Sequence, residues 1–296
     1  MRDRVMPDEM PVLPFPDPVC RVSRAAWKQN GIEPGTRALA QETPIALTYN
    51  GTTQAVMMAS PCDIADFALG FSLTEGIIES ATDILSLDVI AVEEGIEARL
   101  WIADDKMRLL SARRRHLAGP TGCGLCGMES LSQAVRPAAQ VSSDLELTED
   151  LVRTAMARLG PAQVLNLETR AMHAAGYFEP ARGLLMVRED VGRHNALDKL
   201  VGHVRGDGLR QGVDPARGLL LLTSRVSIEM VQKAATLGVG VMAAISAPTA
   251  LAVRTADRAG ITLAAIVRDD GFEVFTHPAR IIARPPQDHA ASAGSC

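Results

Sequence analysis

No uninterrupted apolar segment in this chain approaches the roughly 20 residues that a membrane-crossing helix needs. Asp3, Asp8 and Glu9 stand where a secretory signal would need an apolar stretch. A cytoplasmic protein without a membrane partner is therefore expected. An excess of one charge is missing too: 30 Lys and Arg against 35 Asp and Glu leave a net charge of −5. Nothing global then favours nucleic acid or an anionic membrane surface, and any anion site must be a local cluster. Cysteine is sparse. Cys20, Cys62, Cys123, Cys126 and Cys296 form an odd and widely spaced set, unlike an extracellular disulfide framework. No second Cys-x-x-Cys and no His–Cys pair completes four zinc ligands around Cys123 and Cys126; only Cys62, His116 and His173 are available for recruitment. Internal repeats and low-complexity blocks are absent outside a proline-rich opening.

What is present is a chain of 296 residues, 47% hydrophobic, enough for a sizeable core and two compact units. Residues 1–37 hold Pro7, Pro11, Pro14, Pro16, Pro18 and Pro34 with little periodicity, which predicts an extended, poorly ordered arm outside the fold. Residues 38–145 read as a small α+β unit. Strands over 44–49 and 53–58 flank Asn50-Gly51, a hairpin signal. Ser60 offers a helix N-cap with Pro61 at the first helical position, and Ile64, Phe67, Ala68 and Phe71 recur on one helical face. Further strands are predicted over 87–92 and 97–102, and this unit ends in the thiol-bearing loop.

Residues 146–285 alternate strand and helix. Thr148 is a candidate N-cap for a helix through Leu159, with Gly160 placed to stop it. Strand-like runs at 184–187, 219–222, 239–245 and 262–267 are separated by helical patterns from Ala196, over Ser227–Leu237 and over Leu251–Ala259. Such alternation predicts an α/β class fold with a mostly parallel sheet covered by helices; residues 286–296 are a tail. Open sheets of this kind bind ligands at the carboxyl ends of their strands. Arg188, Glu189, Asp190, Arg193, His194, Thr223, Ser224, Arg225, Ser246 and Arg268 fall there. Asp190 and His194 read either as a proton-handling pair or as a cap and a packed imidazole. Ser224, Arg225 and Glu229 read as a phosphate site at a helix start or as a capping box with a surface ion pair. The methionines at positions 57, 58, 230 and 242 read as core filling.

Thr121-Gly-Cys-Gly-Leu-Cys-Gly127 places two thiols three positions apart in a glycine-rich segment able to move. Sulfur transfer, dithiol redox chemistry, half of a zinc site and no function at all compete for this pair. The missing ligands weigh against zinc, and the absence of a clear strand–helix setting weighs against thioredoxin-like redox. Sulfur transfer is ahead on the residues. Arg113-Arg114-Arg115 upstream would favour the thiolate, although a solvated charge run is the commoner meaning of such a triplet.

Five motifs run in order between about Glu42 and Arg280: Asp66-Phe-Ala-Leu-Gly-Phe-Ser-Leu-Thr-Glu-Gly76, Gly122-Cys-Gly-Leu-Cys-Gly127, Arg188-Glu-Asp-Val-Gly-Arg-His-Asn-Ala-Leu-Asp-Lys199, Thr223-Ser-Arg-Val-Ser-Ile-Glu-Met230 and Ser246-Ala-Pro-Thr249. On these motifs the chain resembles the FdhD family of formate dehydrogenase accessory sulfurtransferases. Thr169-Arg-Ala-Met-His-Ala-Ala175 departs from the more glycine-rich version the resemblance leads one to expect.

The resemblance implies a homodimeric sulfur carrier with a cytidine-deaminase-like C-terminal domain. It implies that sulfane sulfur comes from a cysteine desulfurase and goes to the bis-molybdopterin guanine dinucleotide form of molybdenum cofactor, before insertion into formate dehydrogenase. Cys123 would form the persulfide with Cys126 as its partner. Phe272, Glu273, Val274, Phe275, Thr276 and His277 match the segment taken to contact the cofactor. No permanently bound metal is expected, and guanine nucleotide and pyrophosphate would meet the strand ends carrying Arg188, Asp190, Arg193, Thr223, Ser224 and Arg225. A non-catalytic chaperone that binds the cofactor and hands it on is the main alternative. A zinc nucleobase deaminase fails on motifs, because Ala174-Ala175 follow His173 and Cys123 lacks the preceding proline.

Overall fold

The structure, a computed structural model, describes residues 13–117 and 137–283. Cys123, Cys126, Cys296 and the side chains of Arg113, Arg114 and Arg115 lie outside the described residues. The opening segment corrects the sequence-based expectation. Strands β1 (Val19–Lys28) and β2 (Gly31–Ala40) pair antiparallel from Val19↔Ala40 to Lys28↔Gly31. Of the six prolines only Pro34 lies within this hairpin. Both strands of a two-stranded ribbon are edges, where a residue without an N–H is tolerated.

Strands β3 (Thr43–Tyr49) and β4 (Thr52–Ala59) form the expected hairpin, with Asn50 and Gly51 at φ 44° and 78°. Positive φ at both central residues is the turn whose twist matches that of the strands. Helix α1 (Ile64–Thr74) starts later than Ser60-Pro61 predicted, because Ser60 is engaged elsewhere. Its backbone N–H donates to Asp190 Oδ2 at 2.9 Å and its hydroxyl accepts from the Val191 N–H. Strands β5 (Ile84–Val92) and β6 (Gly95–Ile102) complete a four-stranded sheet of order β4-β3-β6-β5, and α2 (Asp104–Leu117) follows. Alternate residues Ile45, Leu47, Tyr49, Ile96, Ala98, Leu100 and Ile102 are buried and join Phe67 and Ala68 of α1 in one core.

The short strand β7 (Leu147–Thr148) leads into α3 (Glu149–Ala162), where the Thr148 hydroxyl accepts from the Leu151 N–H as predicted, but the helix runs past Gly160 through Pro161. Helix α4 (Val164–Thr169) precedes strands β8 (His173–Glu179) and β9 (Gly183–Asp190). Then come α5 (Arg193–His203), β10 (Leu219–Leu222), α6 (Ile228–Leu237), β11 (Val241–Ala244), α7 (Ala250–Ala259), β12 (Thr262–Arg268) and β13 (Gly271–Val274). Strand β14 (Ile281–Ile282) pairs with β7.

The six-stranded sheet has the order β13-β12-β11-β10-β8-β9. The class is α/β as expected, but the sheet is mixed rather than mostly parallel. Only β10–β11 and β11–β12 are parallel, since β8–β9 and β12–β13 are hairpins and β8 opposes β10. Sheet and helices share two cores. One face, with Leu220, Leu222 and Met242, meets α5, α6, α7, α1 and the N-terminal sheet; the other, with Leu221 and Ala243, is covered by Val152, Ala155 and Leu159 of α3.

Two glycines bring the halves of the chain together. Helices α1 and α5 cross so closely that a β-carbon on Gly70 would lie 1.7 Å from the Asp198 carbonyl oxygen, and one on Gly202 1.9 Å from that of Asp66. A repeat also emerges that sequence reading missed. Residues 219–238 and 241–260 each form a four-residue strand, a five-residue loop entering a ten-residue helix, and a glycine at positive φ, Gly238 or Gly260. The two loops run side by side through a Val226–Pro248 bridge.

Candidate functional site

Strands β9 to β12 bring the carboxyl ends of β9, β10, β11 and β12 to one end of the sheet, because β9 and β10 both oppose β8. The helices that follow three of them, α5, α6 and α7, begin at this end. Their unpaired N–H groups and dipoles favour an anion there. The sequence-selected residues are indeed gathered at this end, but their side chains fall into two groups.

The first group holds the protein together. Arg188 donates from Nε and Nη2 to Asp66 Oδ2 of α1 at 2.9 and 2.7 Å, and His203 Nδ1 stands 3.3 Å from the same oxygen. Asp190 and Lys199 form a fully buried ion pair at 2.7 Å. Asp190 also accepts from the N–H groups of Ser60 and Gly192 and from Asn195 Nδ2, while Lys199 donates to the carbonyls of Ser60 and Glu189. The proposed Asp190–His194 proton pair therefore does not form; Asp190 is a hub that fixes the chain entering α1 against the chain entering α5. Glu189 accepts from the N–H groups of Leu165 and Asn166 at the start of α4, and burial raises its pKa despite those bonds. Thr223 exchanges hydrogen bonds with the Ala174 backbone.

The second group is available. The Arg225 side chain is exposed and makes no hydrogen bond or ion pair among the described residues. Its neighbour Ser224 donates to the Arg225 carbonyl at 3.1 Å. Buried Nε of Arg193 and buried Nε2 of His194 have no hydrogen-bond partner among the described residues. His194 is pushed down to about 4, first by burial and then by Arg193 and Lys233, with Glu229 and Glu75 opposing. His173 is lowered by burial and then by the positive charges of Arg193 and Arg225. At neutral pH this end of the sheet thus offers two cationic forks, neutral ring nitrogens and helix starts. That combination can hold a diphosphate.

The segment Phe272, Glu273, Val274, Phe275, Thr276 and His277 is split by the fold. Strand β13 runs antiparallel to β12, so Gly271 pairs near Arg268 at the receptive end, while Val274 pairs with Ala264. Thr276 is buried and bonded to Ile261 and Leu263, and His277 Nε2 meets the Asp257 carbonyl, about 20 Å away along the strand. Within one chain, Thr276 and His277 are not brought together with Arg225. Arg268 caps the end of the sheet, donating to the Ile245 and Val267 carbonyls.

Sequence reasoning missed a second buried network. Lys233 of α6 donates to both Asp198 oxygens at 2.7 and 2.8 Å and to the Thr74 hydroxyl at 2.9 Å, while Thr74 also donates to Asp198. It ties α1, α5 and α6 below the site, and burial raises the Asp198 carboxyl against the pull of Lys233. The available signal was Asp198-Lys199 set among Leu197, Leu200 and Val201, charge within an apolar helical face. Cys62 stands 3.7 Å from Lys199 Nζ, its thiol pushed up by burial. Among the described residues, no three His, Cys, Asp or Glu side chains are grouped to hold a metal ion.

Fold and site together define an α/β protein with arginines and helix starts gathered at the strand ends of its six-stranded sheet and, in sequence, a Cys-x-x-Cys motif between the four-stranded and six-stranded sheets. Residues 40–282 match the FdhD/NarQ family, and the chain belongs to that family. It is 53% identical over 264 residues to the sulfur carrier protein FdhD of Agrobacterium fabrum, covering 88% of this chain and 96% of that protein. The corresponding proteins of Brucella abortus (52% over 262 residues; 88% and 96% covered) and Cupriavidus necator (48% over 255 residues; 86% and 87% covered) are similar. Among solved structures, a protein of Desulfotalea psychrophila described as a formate dehydrogenase accessory protein shares the fold. The TM-score is 0.67 at 23% identity, over 91% of this chain and all of that one.

Proposed function

We propose that this protein accepts sulfane sulfur from a cysteine desulfurase as a persulfide on Cys123 and delivers it to the bis-molybdopterin guanine dinucleotide cofactor that formate dehydrogenase requires. Membership of a family of sulfur carriers carries this reading, together with a Cys-x-x-Cys pair as the nucleophile such transfer needs. The Cys123 thiolate attacks the terminal sulfur of the desulfurase persulfide, and the desulfurase cysteine leaves as a thiolate. Attack of Cys126 on Cys123 then expels sulfide and closes a disulfide, which a thiol reductant reopens. Arg193 and Arg225 hold the pyrophosphate of the cofactor, with the Ser224 loop and the helix starts supplying N–H donors. Arg188 and Asp190 support the site from behind it, and Phe272 stands nearest to it in its segment.

Mass spectrometry after incubation with a desulfurase and cysteine tests the proposal. Increments of one sulfur on Cys123, absent in Cys123→Ala, are expected. A chaperone that merely binds the cofactor gains no such mass, and that result would overturn the carrier role. Cys126→Ala should be impaired no more than Cys123→Ala.

A further inference from the structure

A cavity of about 460 Å³ opens at one end of the N-terminal sheet, and every residue lining it lies within 13–16, 41–44 and 91–95, apart from the strand-end site. Three pieces of chain build it. The segment before β1 contributes Leu13, Pro14 and Pro16, and is moored by the Gln41 N–H, which donates to the Pro18 carbonyl at 2.9 Å. Strand β3 contributes Thr43 and Pro44 at its start. The β5–β6 turn closes the third side, packed so tightly on β3 that a β-carbon on Gly95 would lie 2.2 Å from the Pro44 carbonyl oxygen. Only glycine fits that approach, so the wall is fixed in place.

Two independent observations give the cavity a chemistry. Thr43 is 3% exposed, and its hydroxyl oxygen is buried with no hydrogen-bond partner among the described residues. Pro14, Pro16 and Pro44 of the surrounding wall have no N–H to offer it. A hydroxyl taken out of water without a partner carries a cost that a ligand can recover. The second observation is charge: Glu42, Glu93 and Glu94 stand at the cavity, exposed and in no ion pair among the described residues, and no lysine, arginine or histidine lines it. We propose that this cavity binds an organic cation, an alkyl chain ending in an ammonium or guanidinium group. Its N–H donates to Thr43 Oγ1, the three carboxylates balance its charge, and the prolines with Leu13 and Val92 cover its stem. A free polyamine and a lysine or arginine side chain of a partner protein share that chemistry, and the cavity lies within the size range of ligand pockets. None of these residues belongs to the sulfur-transfer machinery, so the site is additional to it.

Calorimetry on the full chain tests the site with spermidine, with the peptide acetyl-Gly-Arg-Gly-amide and with the same peptide carrying neutral citrulline in place of arginine. Binding of at least one of the two cations, weakened by salt, is expected. The tighter of the two names the source, a free amine or a protein side chain. Thr43→Val should reduce that affinity about tenfold or more, as for a hydrogen bond to a charged group, while the melting temperature holds or rises because the unpartnered hydroxyl is gone. Glu93→Gln with Glu94→Gln should reduce it about threefold to tenfold, the range for exposed charges. No binding of either cation at millimolar concentration, equal binding of the citrulline peptide, or an affinity that either substitution leaves unchanged would each overturn the proposal.

Discussion

Replacing Asp190 with alanine should unfold far more of the protein than a ligand contact would. The carboxylate is fully buried, pairs with Lys199 at 2.7 Å, and accepts from two backbone N–H groups and Asn195. Its removal leaves an ammonium without its counter-charge in the core and the Ser60 N–H without an acceptor. Breaking one side of a buried pair costs about 3–5 kcal/mol, a large share of the roughly 5–15 kcal/mol that holds a domain folded. Urea denaturation of wild type, Asp190→Ala, Lys199→Met and the double variant measures it. The double variant should be at least about 1 kcal/mol more stable than Asp190→Ala, because the stranded charge is gone. A loss below about 1 kcal/mol in Asp190→Ala, or strict additivity in the double variant, would show that the pair is not the hub described.

Arg225→Ala should weaken GDP binding by about 1.5–3 kcal/mol in calorimetry, as for a charged hydrogen bond to phosphate, and binding to the wild type should fall with salt; equal binding in both proteins removes the site. Gly202→Ala sets a β-carbon 1.9 Å from the Asp66 carbonyl oxygen, so α1 and α5 must separate and the melting temperature should fall sharply; an unchanged melt would refute that close crossing. His194, held near 4 in the folded chain and ordinary near 6.5 when unfolded, gives stability that is full above about pH 6.5 and lost as pH falls towards 4, since the unfolded state binds the proton first. His194→Gln should flatten the stability difference between pH 7 and pH 5.

The parts of the fold that the sequence exposed are those with a local signature. Asn50-Gly51 needed only turn chemistry, and Leu219–Leu222 between Gly218 and Thr223 needed only an apolar run. Strand β8 escaped notice because His-Ala-Ala-Gly-Tyr-Phe-Glu is buried at nearly every position and shows no alternation. The hairpin at 19–40 escaped because its prolines, counted together, mostly lie before it. At the site, position along the chain told which residues share a strand end, but which side chain is free depends on partners more than 100 residues away, as Arg188–Asp66 and Asp190–Ser60 show. The glycine crossing was legible only as two ordinary glycines until the helices met.

The 22-residue repeat implies a sheet that could in principle keep growing. Each unit adds one parallel strand and presents a fresh edge, as in stacked repeat proteins, so something must halt the series after β12. Strand β13 is that stop. It turns back antiparallel, lasts four residues, exposes Glu273 outward, and follows a bulge where Ile266 adopts a φ of 56°. Short length, charge and a kink are the means by which edges refuse further strands. The segment taken from its motif as a cofactor contact thus also works as a terminator, and lengthening or flattening it should turn a discrete carrier into a chain that polymerises edge to edge.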